Sequence, residues 1–106
     1  MIRLSKIDGE LSLLKENKVV IFGAGALGIY TKKLLDYLNI DVYYYCDNDN
    51  SKWGTTLNGV SIISMDKLKK IYDDSTVILI AVNDKVAKII KKQLVDNEIH
   101  NYVLFP

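Results

Sequence analysis

The segment Lys18–Gly28, KVVIFGAGALG, combines a short apolar run with three glycines in the spacing G-x-G-x-x-G. The run Val19–Phe22 is rich in β-branched and aromatic residues and is too short for a helix, so it predicts a strand buried on both faces. A helical pattern begins directly after the glycines and repeats at three to four residues through Leu27, Thr31, Leu34 and Leu38. The glycines are therefore predicted to lie in a strand-to-helix turn.

Each glycine of this turn has its own expected role in nucleotide binding. Gly23 permits a tight turn, Gly25 allows a pyrophosphate to approach the backbone, and Gly28 allows the helix to lie close to the strand. The free N–H groups at the start of a helix attract phosphate. The expected donors to a diphosphate are the backbone amides of four successive residues, Ala24, Gly25, Ala26 and Leu27.

An acidic residue at a suitable distance strengthens this interpretation. The run Asp41–Cys46, DVYYYC, predicts a second strand, and Asp47 follows it, 19 residues after Gly28. A carboxylate about 20 residues beyond the last glycine accepts hydrogen bonds from a ribose hydroxyl in dinucleotide-binding sheets. The alternative is a sheet that kept the turn and lost its ligand, because a bare G-x-G-x-x-G also occurs in proteins that bind nothing.

Length and composition predict a single globular domain. The chain has 106 residues, of which 49% are hydrophobic and 25% charged, which is too short for a nucleotide domain plus a separate catalytic domain. No apolar run approaches the ~20 residues that span a bilayer, so membrane insertion is not expected. The charged N-terminus lacks the apolar core of a signal peptide, and Cys46 is the single cysteine. A cytoplasmic location is therefore expected.

The charge pattern argues against a nucleic-acid partner. The formal net charge is +1, and among the 14 basic residues only Arg3 is an arginine, the residue best suited to bidentate recognition of phosphate or guanine. The expected partner is instead a nucleotide, as the glycine turn and Asp47 indicate.

Residues 1–17 predict an N-terminal helical arm with apolar side chains on one face, at Leu4, Ile7, Leu11 and Leu14. Two interpretations stay open. The helix covers one face of the sheet, or it contacts a partner, such as a second copy of the chain or a fused domain.

The segment Asp47–Gly59, DNDNSKWGTTLNG, is polar and predicts a loop at the carboxyl end of the second strand, where ligands of such sheets bind. Asn48 and Trp53 are expected to flank a base, and the alternative for Trp53 is a packing anchor of the loop. The acidic cluster lacks the ligand order of a calcium loop, so no metal site is predicted.

The remaining apolar runs complete an alternating pattern. Val60–Ile63, Thr76–Val82 and residues 102–105 predict three further strands, with helices before the last two. Val82 and Asn83 fall at the same sheet edge as the glycines and are expected to line the crevice. The predicted fold is α/β, a three-layer domain with a parallel five-stranded sheet in the order 3-2-1-4-5.

Four stretches together resemble a Rossmann subfamily and span roughly residues 18–106: GAGALG, YCDNDNSKWGTTLNGVSIISMDKL, VILIAVND and YVLFP. A similar layout, with F-x-D-x-D-x-x-K-x-G after the glycines, occurs in redox-sensing Rex repressors, CoA-binding domains, polysaccharide-biosynthesis epimerase/dehydratase proteins and the N-termini of nucleotide-sugar acetyltransferases. The resemblance implies a single Rossmann-like nucleotide-binding domain over residues 1–106 that binds NAD(H) or a UDP-sugar, with CoA possible. The loop is most similar to those of domains associated with bacterial surface-sugar enzymes.

The expected function is a nucleotide-binding module of a bacterial surface-polysaccharide or nucleotide-sugar biosynthesis protein, without catalysis of its own. No tyrosine is followed four residues later by a lysine, the pair that short-chain epimerases use for proton transfer. Asp47 would repel a 2′-phosphate, which favours NAD(H) or a UDP-linked ligand over NADP(H). Two alternatives remain: an NAD-dependent or nucleotide-sugar-modifying enzyme active as an oligomer, and a structural interaction domain without a ligand.

Overall fold

A six-stranded sheet lies between two pairs of helices in the computed structural model, which describes residues 11–105. The helices are α1 (residues 11–16), α2 (Ala26–Tyr37), α3 (Met65–Ile71) and α4 (Asp84–Asp96). The strands are β1 (Lys18–Phe22), β2 (Val42–Cys46), β3 (Thr56–Leu57), β4 (Val60–Ile63), β5 (Thr76–Ile80) and β6 (Tyr102–Leu104). No helix within these residues is both long and apolar enough to cross a bilayer.

The strand order is β3-β4-β2-β1-β5-β6, and every pair is parallel except β3 with β4. The predicted five-stranded parallel sheet in the order 3-2-1-4-5 was wrong in strand number, and the full order differs because the added strand β3 pairs antiparallel with β4 and makes the sheet mixed. The five predicted strands themselves follow one another as predicted, as β4-β2-β1-β5-β6. Asn58 and Gly59 both have positive φ, 51° and 79°, the conformation of a two-residue hairpin turn. This turn folds the end of the predicted loop back onto β4 as β3.

β1 is the central strand, and its apolar residues are at most 1% exposed. Val19 and Ile21 belong to the core cluster shared with α1 and α2, whereas Val20 and Phe22 belong to the cluster shared with α3 and α4. Successive side chains of a strand point to opposite faces, so β1 contacts both helical layers. The sequence-based prediction of a strand buried on both faces is confirmed.

The described part of the N-terminal arm packs on the sheet. Leu14 is 7% exposed and lies in the core cluster with α2, and Leu11 packs against that cluster. The interpretation of a helix that covers one sheet face agrees with these two residues. Leu4 and Ile7, on which the prediction also relied, lie outside the described residues.

The inward face of α2 differs from the leucine pattern. Its buried residues are Gly28, Thr31 and Leu35, whereas Leu27 is 45% exposed. The reason is steric, because a Cβ on Gly28 would lie 1.8 Å from the carbonyl oxygen of Gly23. The helix approaches the end of β1 through its glycine, and this rotates Leu27 outward.

Replacing Gly28 by alanine is expected to lower the free energy of unfolding by about 3 kcal/mol, the upper end for overpacking, because the added methyl group meets backbone. Urea unfolding followed by circular dichroism measures the change. The matched control is Gly25→Ala, since a Cβ on Gly25 would meet no atom within 4 Å; alanine at this N-cap position should lower stability by only about 0.5–1 kcal/mol. Equal unfolding midpoints for the two variants would contradict the close approach.

Candidate functional site

The carboxyl ends of three strands meet at one edge of the sheet. The N–H of Gly23, after β1, donates to the carbonyl oxygen of Cys46 at the end of β2 (2.8 Å). The N–H of Ala81, after β5, donates to the carbonyl oxygen of Phe22 (2.9 Å). β2 and β5 flank β1 on opposite sides, so the following connections diverge and form a crevice of about 340 Å³.

The structure brings most of the predicted site residues together. Those that line the crevice are Gly23, Gly25, Ala26, Leu27, Asp47, Asn48, Val82 and Asn83. The other three predicted residues, Ala24, Gly28 and Trp53, do not line it. Five further lining residues were not predicted: Phe22, Lys52, Ala81, Val86 and Ile90.

Two glycines of the turn have different steric surroundings. Gly23 has φ of +120°, and a Cβ there would lie 2.5 Å from the carbonyl oxygen of Ala81, so backbone conformation and packing both require glycine. Gly25 is exposed, and a Cβ there would meet no protein atom within 4 Å. Packing therefore does not require glycine at position 25. The absence of a side chain there leaves the backbone open to a group approaching from the crevice.

Asp47 connects the glycine turn to the loop after β2. Its Oδ2 accepts from the N–H of Ala24 (2.8 Å), and its Oδ1 accepts from the N–H of Asp49 (2.8 Å). The amide of Ala24, predicted to donate to a diphosphate, thus donates to the adjacent carboxylate in this structure. A carboxylate offers about four lone-pair positions, so Asp47 retains acceptor capacity towards the crevice.

Lys52 is a site residue that sequence reasoning missed. Its Nζ lies 3.3 Å from the carbonyl oxygen of Ala24 and 3.7 Å from Oδ2 of Asp47. A short 3-10 turn, Asn50–Lys52, brings it there, capped by Asp49, which accepts from the N–H of Ser51. Hydrogen bonds from Ser51 lower the pKa of Asp49. The available signal was the lysine of the F-x-D-x-D-x-x-K-x-G layout, which falls on Lys52 in the polar loop after the second strand.

Trp53 serves as an anchor of this loop. Its indole N–H donates to the carbonyl oxygen of Asp47 (2.7 Å), and 45% of the residue is exposed. Because Trp53 does not line the crevice, its geometry agrees with the packing alternative and gives no support to stacking on a base. The indole also does not obstruct the glycine turn.

The opposite wall of the crevice is built by the start of α4. The side chain of Asn83 caps this helix by accepting from the N–H of Val86 (3.0 Å). Val86 and Ile90 add apolar surface. Across the crevice, the carboxamide of Asn48 exchanges two hydrogen bonds with Gln93 (2.8 and 2.9 Å), which ties the loop after β2 to α4.

Neither Cys46 nor His100, the single cysteine and the single histidine of the sequence, lines the crevice. Cys46 is fully buried, and burial together with the charge of Asp47 raises the pKa of its thiol to about 12. His100 is exposed in the connection between α4 and β6. Over residues 11–105, no three His, Cys, Asp or Glu side chains are grouped to hold a metal ion.

Two solved proteins have similar structures. The Rex-family repressor RSP gives a TM-score of 0.70 at 16% identity, over 96% of this chain and 51% of RSP. UDP-D-quinovosamine 4-dehydrogenase from Vibrio fischeri gives 0.71 at 22% identity, over 86% and 79% of the two chains. At these identities the likeness shows a Rossmann-like fold alone, and this chain spans about half the length of RSP.

RSP has also been crystallised with bound ligands. Its complex with β-NADH, and its complex with β-NAD⁺ and operator DNA, each give a TM-score of 0.67 at 16% identity. The matches cover 96% and 95% of this chain, and 52% and 48% of RSP.

Sequence comparison gives one match. Residues 15–105 match the family described as C2185-like, N-terminal. No curated protein sequence matches the chain.

The thiol of Cys46 is expected to react with maleimide at least about 100-fold more slowly in the folded protein than in urea. Raising the pH from about 7 to 9 should accelerate labelling of the unfolded chain about 25-fold, because its thiol, with a pKa of about 8.5, ionises over this range. The folded chain should remain far slower at both pH values, because its buried thiol stays protonated. Mass spectrometry over time measures both rates, and a folded-state rate close to the unfolded one at pH 9 would contradict this assignment.

Proposed function

The chain belongs to the C2185-like N-terminal family, and we propose that it is a nucleotide-binding module whose favoured ligand is NAD(H). The observation that carries this proposal is the contact between the glycine turn and Asp47, whose carboxylate lies 2.8 Å from the amide of Ala24. This contact sets groups suited to a diphosphate and to a ribose side by side at one edge of the sheet.

The start of α2 offers the diphosphate site. The amides of Gly25, Ala26 and Leu27 have no hydrogen-bond partner within residues 11–105, as is usual at a helix N-terminus. All three residues are exposed and line the crevice. The positive end of the helix dipole adds to the attraction for phosphate.

Asp47 offers the ribose site. Its side chain is 17% exposed, and the lone pairs that its protein partners leave free are suited to ribose hydroxyls. The same negative charge disfavours a 2′-phosphate, so NAD(H) is preferred to NADP(H). The crystal structures of RSP with β-NADH and with β-NAD⁺ support this choice of ligand.

A UDP-sugar is the second candidate ligand, favoured by the similarity to UDP-D-quinovosamine 4-dehydrogenase. CoA is a third, which only the sequence resemblance suggests. With a UDP-sugar, the module would belong to a surface-polysaccharide or nucleotide-sugar biosynthesis protein. We propose no nucleic-acid partner for this domain, because the chain has a net charge of +1 and Lys52 is the one cation among the crevice-lining residues.

We propose that the module has no chemistry of its own. The charged groups that line the crevice are Asp47 and Lys52, which form an ion pair at 3.7 Å, and neither Cys46 nor His100 lines it. Turnover by a purified oligomer supplied with cofactor and sugar nucleotide would contradict this part of the proposal and favour the enzyme alternative.

Titration calorimetry with NADH, UDP-glucose and CoA tests the choice of ligand. Fluorescence of the single tryptophan provides a second measurement. Trp53 donates a hydrogen bond to the backbone of Asp47, and its emission overlaps the absorption of NADH. Saturable quenching by NADH is the expected result. The absence of binding of all three ligands at millimolar concentration would contradict the proposed function.

Gly25→Ala is expected to weaken NADH binding at least about tenfold, which is about 1.4 kcal/mol, while the unfolding midpoint stays close to that of the unmodified protein. The added methyl group meets no protein atom within 4 Å but stands where the pyrophosphate approaches the backbone. Calorimetry and urea unfolding measure the two effects. Unchanged affinity would place the diphosphate elsewhere.

A further inference from the structure

Asp47 and Lys52 are the charged side chains that line the crevice, and their formal charges cancel. Lys52 is 35% exposed, and its Nζ lies 3.7 Å from Oδ2 of Asp47. A bound diphosphate would carry about two negative charges. Lys52 would attract it and Asp47 would repel it, and partial exposure to water would weaken both interactions. Without Lys52, the lining of this crevice would be negative and unfavourable for such a ligand.

The position of Lys52 is fixed from both sides along the chain. Its backbone N–H donates to the carbonyl oxygen of Asp49 (3.1 Å), and its carbonyl oxygen accepts from the hydroxyl of Thr55 (2.6 Å). The side chain then extends to the carbonyl oxygen of Ala24 (3.3 Å). The ammonium group is therefore held where the loop after β2 meets the glycine turn.

The ammonium group has more N–H donors than its contacts with the protein use. It has three N–H donors, and the carbonyl of Ala24 accepts from one of them. The 3.7 Å separation from Asp47 is an ion-pair distance rather than a hydrogen bond. A ligand oxygen in the crevice can thus be bound without displacing either protein partner.

We propose that Lys52 is a specificity-determining residue of the nucleotide site. Its positive charge attracts the diphosphate. Its ion pair with Asp47 prevents the ammonium group from binding a 2′-phosphate on the ribose. This inference rests on the proposed function, and it assigns NADH preference to the pair of side chains rather than to Asp47 alone.

The pair can be separated by isosteric substitution. Asp47→Asn keeps a side-chain oxygen for the amide of Ala24 and removes the negative charge, so Lys52 becomes available to a 2′-phosphate. Lys52→Gln keeps a polar side chain, one bond shorter, and removes the positive charge. Lys69→Gln is the matched control, because Lys69 is exposed on α3 and lies outside the crevice lining.

The experiment measures dissociation constants for NADH and NADPH by calorimetry with the unmodified protein, D47N, K52Q, the D47N/K52Q double variant and K69Q. We expect K52Q to weaken NADH binding about tenfold and K69Q to leave it unchanged. D47N should shift the NADPH-to-NADH affinity ratio at least about tenfold towards NADPH. That shift should disappear in the double variant, and Lys52→Arg should retain NADH binding.

Two results would overturn the role proposed for Lys52 and leave the proposed function intact. One is a gain in NADPH affinity in D47N that persists in the double variant, and the other is NADH binding by K52Q equal to that of the unmodified protein. Failure of the unmodified protein to bind any nucleotide would overturn the proposed function and this inference with it. Thermal unfolding of every variant separates lost binding from lost folding.

Discussion

The contact between Gly23 and Gly28 is the constraint on which the rest of the site depends. Because Gly28 has no side chain, the first turn of α2 lies against the carbonyl group of Gly23, directly after β1. This approach fixes the direction of the helix, so its exposed first residues line the crevice beside the carboxyl ends of β2 and β5. A bulkier residue at either position would move the helix start away from the sheet edge, and the amides would no longer converge with Asp47.

Asp47 is the second element of this arrangement, and its carboxylate accepts hydrogen bonds from the protein itself, independently of any ligand. Its two carboxylate oxygens bind amides from two different segments, at Ala24 and Asp49, while its own carbonyl oxygen accepts from the indole of Trp53. The carboxylate thereby aligns the glycine turn with the loop after β2. A residue that sequence patterns associate with ribose recognition is thus also a structural link.

Much of the fold could be predicted because its signals are local. The apolar run before Gly23, the Asn83 cap of α4 and the polar loop after Cys46 each depend on neighbouring residues in the chain. The strand β3 was missed because two residues give no periodicity, although Asn58 and Gly59 gave a hairpin signal. The inward face of α2 was mispredicted because the leucine spacing measures hydrophobicity, whereas the smallest residue, Gly28, sets the orientation.

The missed parts of the site are contacts between segments distant in the sequence. Lys52 reaches Ala24 across 28 residues, and Asn48 pairs with Gln93 across 45, distances over which no local pattern extends. Both contacts hold the loop after β2 in place before a ligand arrives. Ordering such a loop during binding would subtract from affinity, so these contacts favour binding through preorganisation. The contact of Lys52 with Ala24 also keeps its ammonium group 3.7 Å from the carboxylate of Asp47, so the crevice presents one group of each charge without rearrangement of the loop.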